Sequence, residues 1–269
     1  RTLTKSNGGS QWKKMQRKTQ TLTLLKQQKQ QKSNLPQAAK ILARAGLFSK
    51  PIKFNFSQGD LSLPAFFART KGNSLWGCAV DNQEDRGFIR AHLECIEKIV
   101  QEKDNLTERA GFGCAFNKSS AVEHGVLELI EHEALYKWWV ENDKAIKIKK
   151  LPSEISSLIE KNKESIQEIE IYQLPSIDNI PCIFTFILFN KSPKIACGIK
   201  CSFNIEKAIM GSIFECQQMR FNLKIIKENK LNQNSLAEKR AKFWLNDQNK
   251  SILKKRLAKL ENKPFIFTR

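Results

Sequence analysis

The sequence predicts an α/β fold, with α+β left open, and three observations predict it. Short apolar stretches that read as strands are interspersed with helical patterns. One spacing of glycine, amide and carboxylate residues recurs three times. Of the 269 residues 41% are apolar, including 17 Phe, so a real core is available and a wholly disordered chain is excluded. The length allows one large domain or two small ones.

Residues 1–36 are polar and Gln/Lys-rich, with Gly8–Gly9 and the tract 27–32. They are expected to be flexible, or helical only on binding. Pro36 opens a short helical pattern through Ala38, Ile41, Leu42 and Ala45, stopped by Gly46 and Pro51. Residues 1–50 therefore read as a basic arm and 51–269 as the folded domain. Lys53–Phe56 and Phe66–Ala68 read as short strands, and 153–160 as a capped helix after Pro152. Gln167–Gln173 and Ile183–Phe189 read as adjacent strands across a turn holding Pro175, Asp178, Asn179 and Pro181. The run Ile180–Phe189 is the longest apolar one. It falls well short of the ~20 residues a membrane helix needs. A last helix, 235–262, begins at the capping-box pair Ser235 and Glu238 and carries Leu236, Phe243, Trp244, Leu253, Leu257 and Leu260.

The net charge of +19 is uneven. Residues 1–59 hold 13 Lys and Arg and no acid, 221–269 hold 13 basic against 4 acidic, and 60–220 come to −3. A basic arm suits nucleic acid, phosphate or an acidic protein, and equally suits plain solubility. Seven scattered Cys and no visible signal peptide argue for reduced thiols and a cytoplasmic protein over a secreted disulfide scaffold. The chain begins with Arg, as an excerpt or a processed form would.

The recurring pattern runs Gly77, Gln83, Gly87, Glu94, Glu97; then Gly111, Asn117, Ala121, Glu128, Glu131; then Gly198, Asn204, Ala208, Glu215, Gln218. The intervals are six, four, seven and three each time. A small residue (Ala91, Gly125 or Ser212) precedes each first Glu by three. Each Gly is expected to start a β-like stretch: Trp76–Val80, Phe112–Phe116 and Ile199–Phe203. Asn117 and Asn204 are good N-caps for the helices that follow. Side chains three apart share a helix face, so each helix presents two side-chain oxygens together. Carboxylates on an apolar stripe are costly unless neutralised. Two readings stay open. The first is pairing with Arg or Lys of a neighbouring helix. The second is an all-oxygen Mg²⁺ site completed by a nucleotide's phosphates, with Arg220 within reach of a phosphate.

Other motifs are weak. His92, His124 and His132 have no zinc spacing with Cys, and Cys197 and Cys201 lack a second pair. There is no Walker-A loop and no Gly-x-Gly-x-x-Gly. Trp138–Trp139 reads as core or interface packing.

The stretch Gly113-Cys-Ala-Phe-Asn117, followed by Leu127-Glu-Leu-Ile-Glu131 through Trp138-Trp139, resembles the central signature of the YcaO family. The helices around Leu93-Glu-Cys-Ile-Glu97 and Glu215-Cys-Gln-Gln218-Met-Arg220 resemble the family's earlier and later motif helices. The resemblance covers about residues 72–225. It implies a YcaO-like fold of three pseudo-repeats around an ATP/Mg²⁺ site without a Walker motif. Metal ligands would be Glu94, Glu97, Glu128, Glu131 and Glu215. Asn117, Gln218 and Arg220 would join them around the nucleotide, and Glu128, Glu131 and Arg220 would be catalytic. The implied reaction is phosphorylation of a peptide backbone amide oxygen in a ribosomally made precursor peptide, with an adjacent Cys, Ser or Thr closing to an azoline; thioamide or amidine chemistry is the family's other outlet.

Departures from the family pattern are Arg90 in place of a Ser, Lys98 and His132 in place of Arg, and the lack of a proline-rich C-terminal tail. Arg90 would either salt-bridge a Glu and block metal or touch a phosphate. A substrate-delivery protein is an implied partner, and a homodimer is a further one. The alternatives are a catalytically degenerate scaffold subunit and a basic nucleic-acid- or ribosome-binding module.

Overall fold

The computed structural model describes residues 48–49, 52–54, 61–71, 75–103, 111–229, 243, 246 and 249–265. The arm up to residue 47, its helix from Pro36 and the Ser235/Glu238 helix start lie outside the described residues.

Two sheets and five helices make up the described fold. The first sheet has the order β1-β2-β3, antiparallel throughout, from Ile52–Phe54, Ala65–Arg69 and Trp76–Val80. The second has the order β7-β6-β5-β4-β8. Its strands are β4 (Ala145–Ile148), β5 (Ile166–Gln173), β6 (Cys182–Phe189), β7 (Ile195–Cys201) and β8 (Glu261–Phe265). Only β8 runs parallel to its neighbour, β4. The helices are α1 (Glu84–Lys103), α2 (Lys118–Trp139), α3 (Ser153–Lys161), α4 (Ile205–Asn229) and α5 (Asn249–Leu260). Helix and sheet are thus mixed as predicted, with largely antiparallel strands.

The strand β6, Cys-Ile-Phe-Thr-Phe-Ile-Leu-Phe, is buried along its whole length because both faces of its sheet are covered. On one face α4 packs, with Ile209, Ile213 and Phe214 joining Ile183 and Ile187 and reaching Leu63, Ala65 and Val80 of the first sheet. On the other, Leu127, Ile130 and Trp138 of α2 and Leu253 and Leu257 of α5 meet Tyr172, Phe184 and Phe186. The one polar residue of β6, Thr185, exchanges a 2.6 Å hydrogen bond with Ser212 of α4, which satisfies both hydroxyls in the core. Helix α4 therefore holds the two sheets together.

Several expectations are corrected. Phe112–Phe116 forms no strand among the described residues. The predicted strand at Lys53–Phe56 runs Ile52–Phe54, with 55–56 outside the described residues. Strand β7 begins three residues before Gly198 and ends at Cys201. Ser153 is the first residue of α3, whose N-cap is Pro152 with no side-chain cap. The last helix stops at Leu260, and Glu261 starts β8, an edge strand in which Pro264 is tolerated.

Candidate functional site

The strands β3 and β7 are edges of their two sheets. At an edge, every second backbone N–H points away from the sheet and needs a partner. Here helix side chains supply it. Cys78 donates to Glu94 Oε2 at 2.9 Å, and Ile199 to Glu215 Oε2 at 3.2 Å. Phe112 donates to Glu128 Oε2 at 3.0 Å, joined by Gly111 at 3.1 Å. In all three cases the donor lies 16 residues before the Glu and directly follows the repeat glycine. The segment predicted as a second strand is thus held by carboxylate in place of a sheet partner. The close approach needs glycine: a Cβ at Gly77 or Gly198 would lie 2.0 Å from the helix carbonyl of Ala91 or Ser212. In the middle segment Gly113 plays this part, against Ala121.

The second carboxylate of each pair reaches onward. Glu97 accepts from Cys114 N at 2.8 Å, and Glu131 from Cys201 N at 2.8 Å. Gln218 closes the circuit by donating to Glu94 Oε2 at 3.4 Å. The structure therefore brings Glu94, Glu97, Glu128, Glu131, Glu215 and Gln218 into one cluster between α1, α2, α4 and the two edge strands.

Electrostatics divide the cluster. Lys98 pairs with Glu94 at 2.8 Å. Lys200 of β7 sits between Glu131 at 2.8 Å and Glu215 at 3.4 Å. Burial alone would lower the Lys200 ammonium, but the two carboxylates outweigh it and raise its pKa. Glu97 and Glu128 have no ion-pair partner among the described residues. Burial, with the charges of Glu128 and Glu94 adding to it, pushes Glu97 up to about 7 against the relief from Cys114 N–H. Burial likewise takes Glu215 to about 7, opposed by Lys200, and raises Glu131.

Three predicted residues lie elsewhere. Arg220 is fully buried. Its guanidinium donates to Pro193 O at 3.1 Å and Lys191 O at 2.9 Å and stacks on Phe189 at 3.7 Å. It anchors the β6–β7 turn from within the core, which corrects its catalytic and phosphate-binding assignment. Asn117 is the exposed N-cap of α2, accepting from Ser120 N at 2.8 Å. Arg90 bonds Asp81 at 3.2 Å and Val80 O at 3.2 Å, and no Glu among the described residues. Lys200 was missed by sequence reasoning; its signal was a lone charge in the otherwise uncharged strand Ile195–Cys201.

A family model described as YcaO cyclodehydratase, ATP- and Mg²⁺-binding, matches residues 100–264. This chain belongs to the YcaO family. The match starts later than the predicted 72–225 and runs on through α5 into β8. No curated protein sequence matches the chain. Among solved structures it is similar to the YcaO protein of Methanopyrus kandleri bound with AMPPCP and Mg²⁺. That match has a TM-score of 0.67 and 11% identity, and covers 85% of this chain and 73% of the other. It is also similar to the E. coli microcin synthetase McbBCD complex with pro-MccB17 bound, at a TM-score of 0.60 and 10% identity over 81% and 74%. At these identities the likeness is one of fold.

ATP and Mg²⁺ are the ligands of this YcaO family. The donor set fits them. It is all oxygen, as Mg²⁺ prefers. In Glu97, Glu128 and Glu131 one oxygen serves a backbone N–H, and the other has no hydrogen-bond partner among the described residues. No three such side chains converge on one point among the described residues, so a single five-Glu metal centre is not formed. Mg²⁺ needs no such cage: one or two carboxylates and the phosphates of a nucleotide suffice. Glu97 and Glu128, the pair without a cation, are the residues that would hold it.

Proposed function

We propose that this chain activates a peptide backbone amide with ATP and Mg²⁺ during maturation of a ribosomally made peptide, azoline-forming cyclodehydration being the reaction. The observation that carries this reading is the closed ring of carboxylates with Glu97 and Glu128 left without a cation, in a chain of this family. ATP·Mg²⁺ supplies the phosphoryl group that turns the amide oxygen into a leaving group. The chain's own work is positional and electrostatic. Glu97 and Glu128 hold the ion. Lys98 and Lys200 keep Glu94, Glu131 and Glu215 in place, and the backbone N–H bonds fix each carboxylate rotamer. Burial raises the thiols of Cys78 and Cys114 beside the cluster and makes them poor nucleophiles, which suits a reaction whose nucleophile is the substrate's own Cys, Ser or Thr.

The peptide is a proposed substrate, and an accessory protein that delivers it a proposed partner, as the precursor-bound McbBCD complex suggests by its fold. The test is mass spectrometry of a candidate precursor incubated with ATP, Mg²⁺ and the chain with its accessory protein. Loss of one water per ring, matched by ADP formation, is expected. ADP formation without any change in the peptide would contradict the reading.

A second reading is a scaffold subunit without turnover of its own. The pairing of Lys98 and Lys200 with three of the five carboxylates, and the burial of Arg220, favour it. A complex that modifies peptide equally well with Glu97→Gln/Glu128→Gln chain decides for the scaffold.

A further inference from the structure

Lys98 and Lys200 are taken up by the carboxylates of the cluster, and Arg220 is in the core. One further cation stands at the rim. Arg90 lies four residues before Glu94 and seven before Glu97 on α1, so the three share one face of that helix. Its side chain is 36% exposed. Arg90 is near enough to act on the cluster electrostatically. Burial raises Glu215, and the charge of Arg90 joins that of Lys200 in opposing the rise. Burial also lowers the Lys200 ammonium and Arg90 adds to that, against the stronger pull of Glu215 and Glu131.

The charge of Arg90 is in surplus. The acid it bonds, Asp81, is fully buried. Its Oδ2 already accepts from Arg86 Nε at 2.7 Å, and its Oδ1 from Gln83 N at 2.9 Å. Two guanidiniums thus share one carboxylate. Glu94 and Glu215 have cations of their own in Lys98 and Lys200. Arg90 also has unused donors. Nη1 donates to Asp81 and to Val80 O, both at 3.2 Å. Of the five N–H donors of a guanidinium, those on Nε and Nη2 have no partner among the described residues. They lie on one edge of the planar group, the fork that matches two oxygens of a phosphate. The two bonds of Nη1 hold the group in place, so little freedom is lost when an anion meets that edge.

We infer that Arg90 binds the phosphate oxygens of the nucleotide whose Mg²⁺ is held by Glu97 and Glu128, its Nε–Nη2 edge taking two oxygens of one phosphate. The inference rests on the ATP·Mg²⁺ site of the proposed function. It supplies, from the helix of Glu94 and Glu97, the guanidinium that buried Arg220 does not. Two lysines among the carboxylates leave the cluster short of positive charge, so a triphosphate needs a guanidinium as well as the metal.

Titration calorimetry of the full chain with Mg²⁺ and a non-hydrolysable ATP analogue tests this. Arg90→Gln leaves Asp81 with Arg86 and Gln83 N, and its circular dichroism should match the wild type. Its affinity should fall about tenfold or more, the loss of a charge-assisted contact. Arg90→Lys keeps a cation beside Asp81 without the fork, and should fall in the same direction. Arg86→Gln removes the shorter bond to the same Asp81 and should bind as the wild type does. Inorganic phosphate in place of the analogue should give no saturable binding. Wild-type affinity in both Arg90 variants overturns the inference. So does an equal loss in Arg86→Gln, which would make Arg90 only a staple between α1 and β3. So does inorganic phosphate binding as tightly as the analogue, since the site is then not the nucleotide's. All three leave the proposed function standing. A wild type that does not bind the analogue overturns both. An unmodified precursor peptide with these affinities intact overturns the proposed reaction and leaves Arg90 in its role.

Discussion

Each carboxylate of the cluster bonds an edge-strand or loop N–H with one oxygen, and in Glu97, Glu128 and Glu131 the other has no hydrogen-bond partner among the described residues. The acids are thus structural, and the proposed function gives Glu97 and Glu128 a second role. Lys200 neutralises the buried Glu131 and the half-buried Glu215. Lys200→Met is expected to cost about 2 kcal/mol, reduced from the fully buried case by the partial exposure of the ammonium, read as a lower midpoint in urea. Glu97 and Glu215 ionise near 7 in the fold and near 4.5 when unfolded. The folded state therefore holds extra protons between about 4.5 and 7, and stability falls as pH rises through that window. Burial of His92, which lowers its pKa, acts the other way, removing stability as pH drops below its unfolded value. The two are separated by Glu97→Gln/Glu215→Gln. That variant is expected to lose the fall in melting temperature between pH 5 and pH 7.5 that the wild type shows relative to it. The acids were legible in the sequence because their spacing repeats. Lys200 was not, because its role depends on which strand lies at the edge, and spacing along the chain does not fix strand order.

Among the elements, strands with strong apolar runs were legible: Gln167–Gln173 and Ile183–Phe189 match β5 and β6 within one residue. Strands β4 and β8 were not legible. β4 is short and interleaved with Lys, and β8 contains a proline, so neither carries an apolar signature. Phe112–Phe116 has that signature without the partner, its N–H groups being taken by Glu128 and Glu97. The β6–β7 turn rests on Arg220. Its replacement by Leu leaves the Lys191 and Pro193 carbonyls without their donor and removes the stack on Phe189. A loss of about 2–3 kcal/mol is expected, with nucleotide affinity unchanged in the folded fraction. A tenfold loss of nucleotide affinity at equal stability would return Arg220 to the site. Asn117→Ala should cost about 1 kcal/mol through the lost cap of α2, measurable by thermal melting.

At the scale of the whole molecule, α4 ties two sheets whose free edges, β3 and β7, carry the carboxylate ring. The glycines permit it. Gly77→Ala puts a methyl within 2.0 Å of a helix carbonyl and should cost about 3 kcal/mol or more, seen as a large drop in soluble, folded protein. Among the described residues no helix is long and apolar enough to cross a membrane. Family and cofactors were legible through the ordered motifs. The division of the acids into cation-paired and unpaired sets was not, since it is a property of the assembled sheets. The most direct measurement is titration calorimetry of the full chain with a non-hydrolysable ATP analogue, with and without Mg²⁺. Saturable, Mg²⁺-dependent binding that falls at least about tenfold in Glu97→Gln/Glu128→Gln, the loss of a charge-assisted contact, is predicted. Binding of equal strength in that variant, at unchanged stability, would contradict the account.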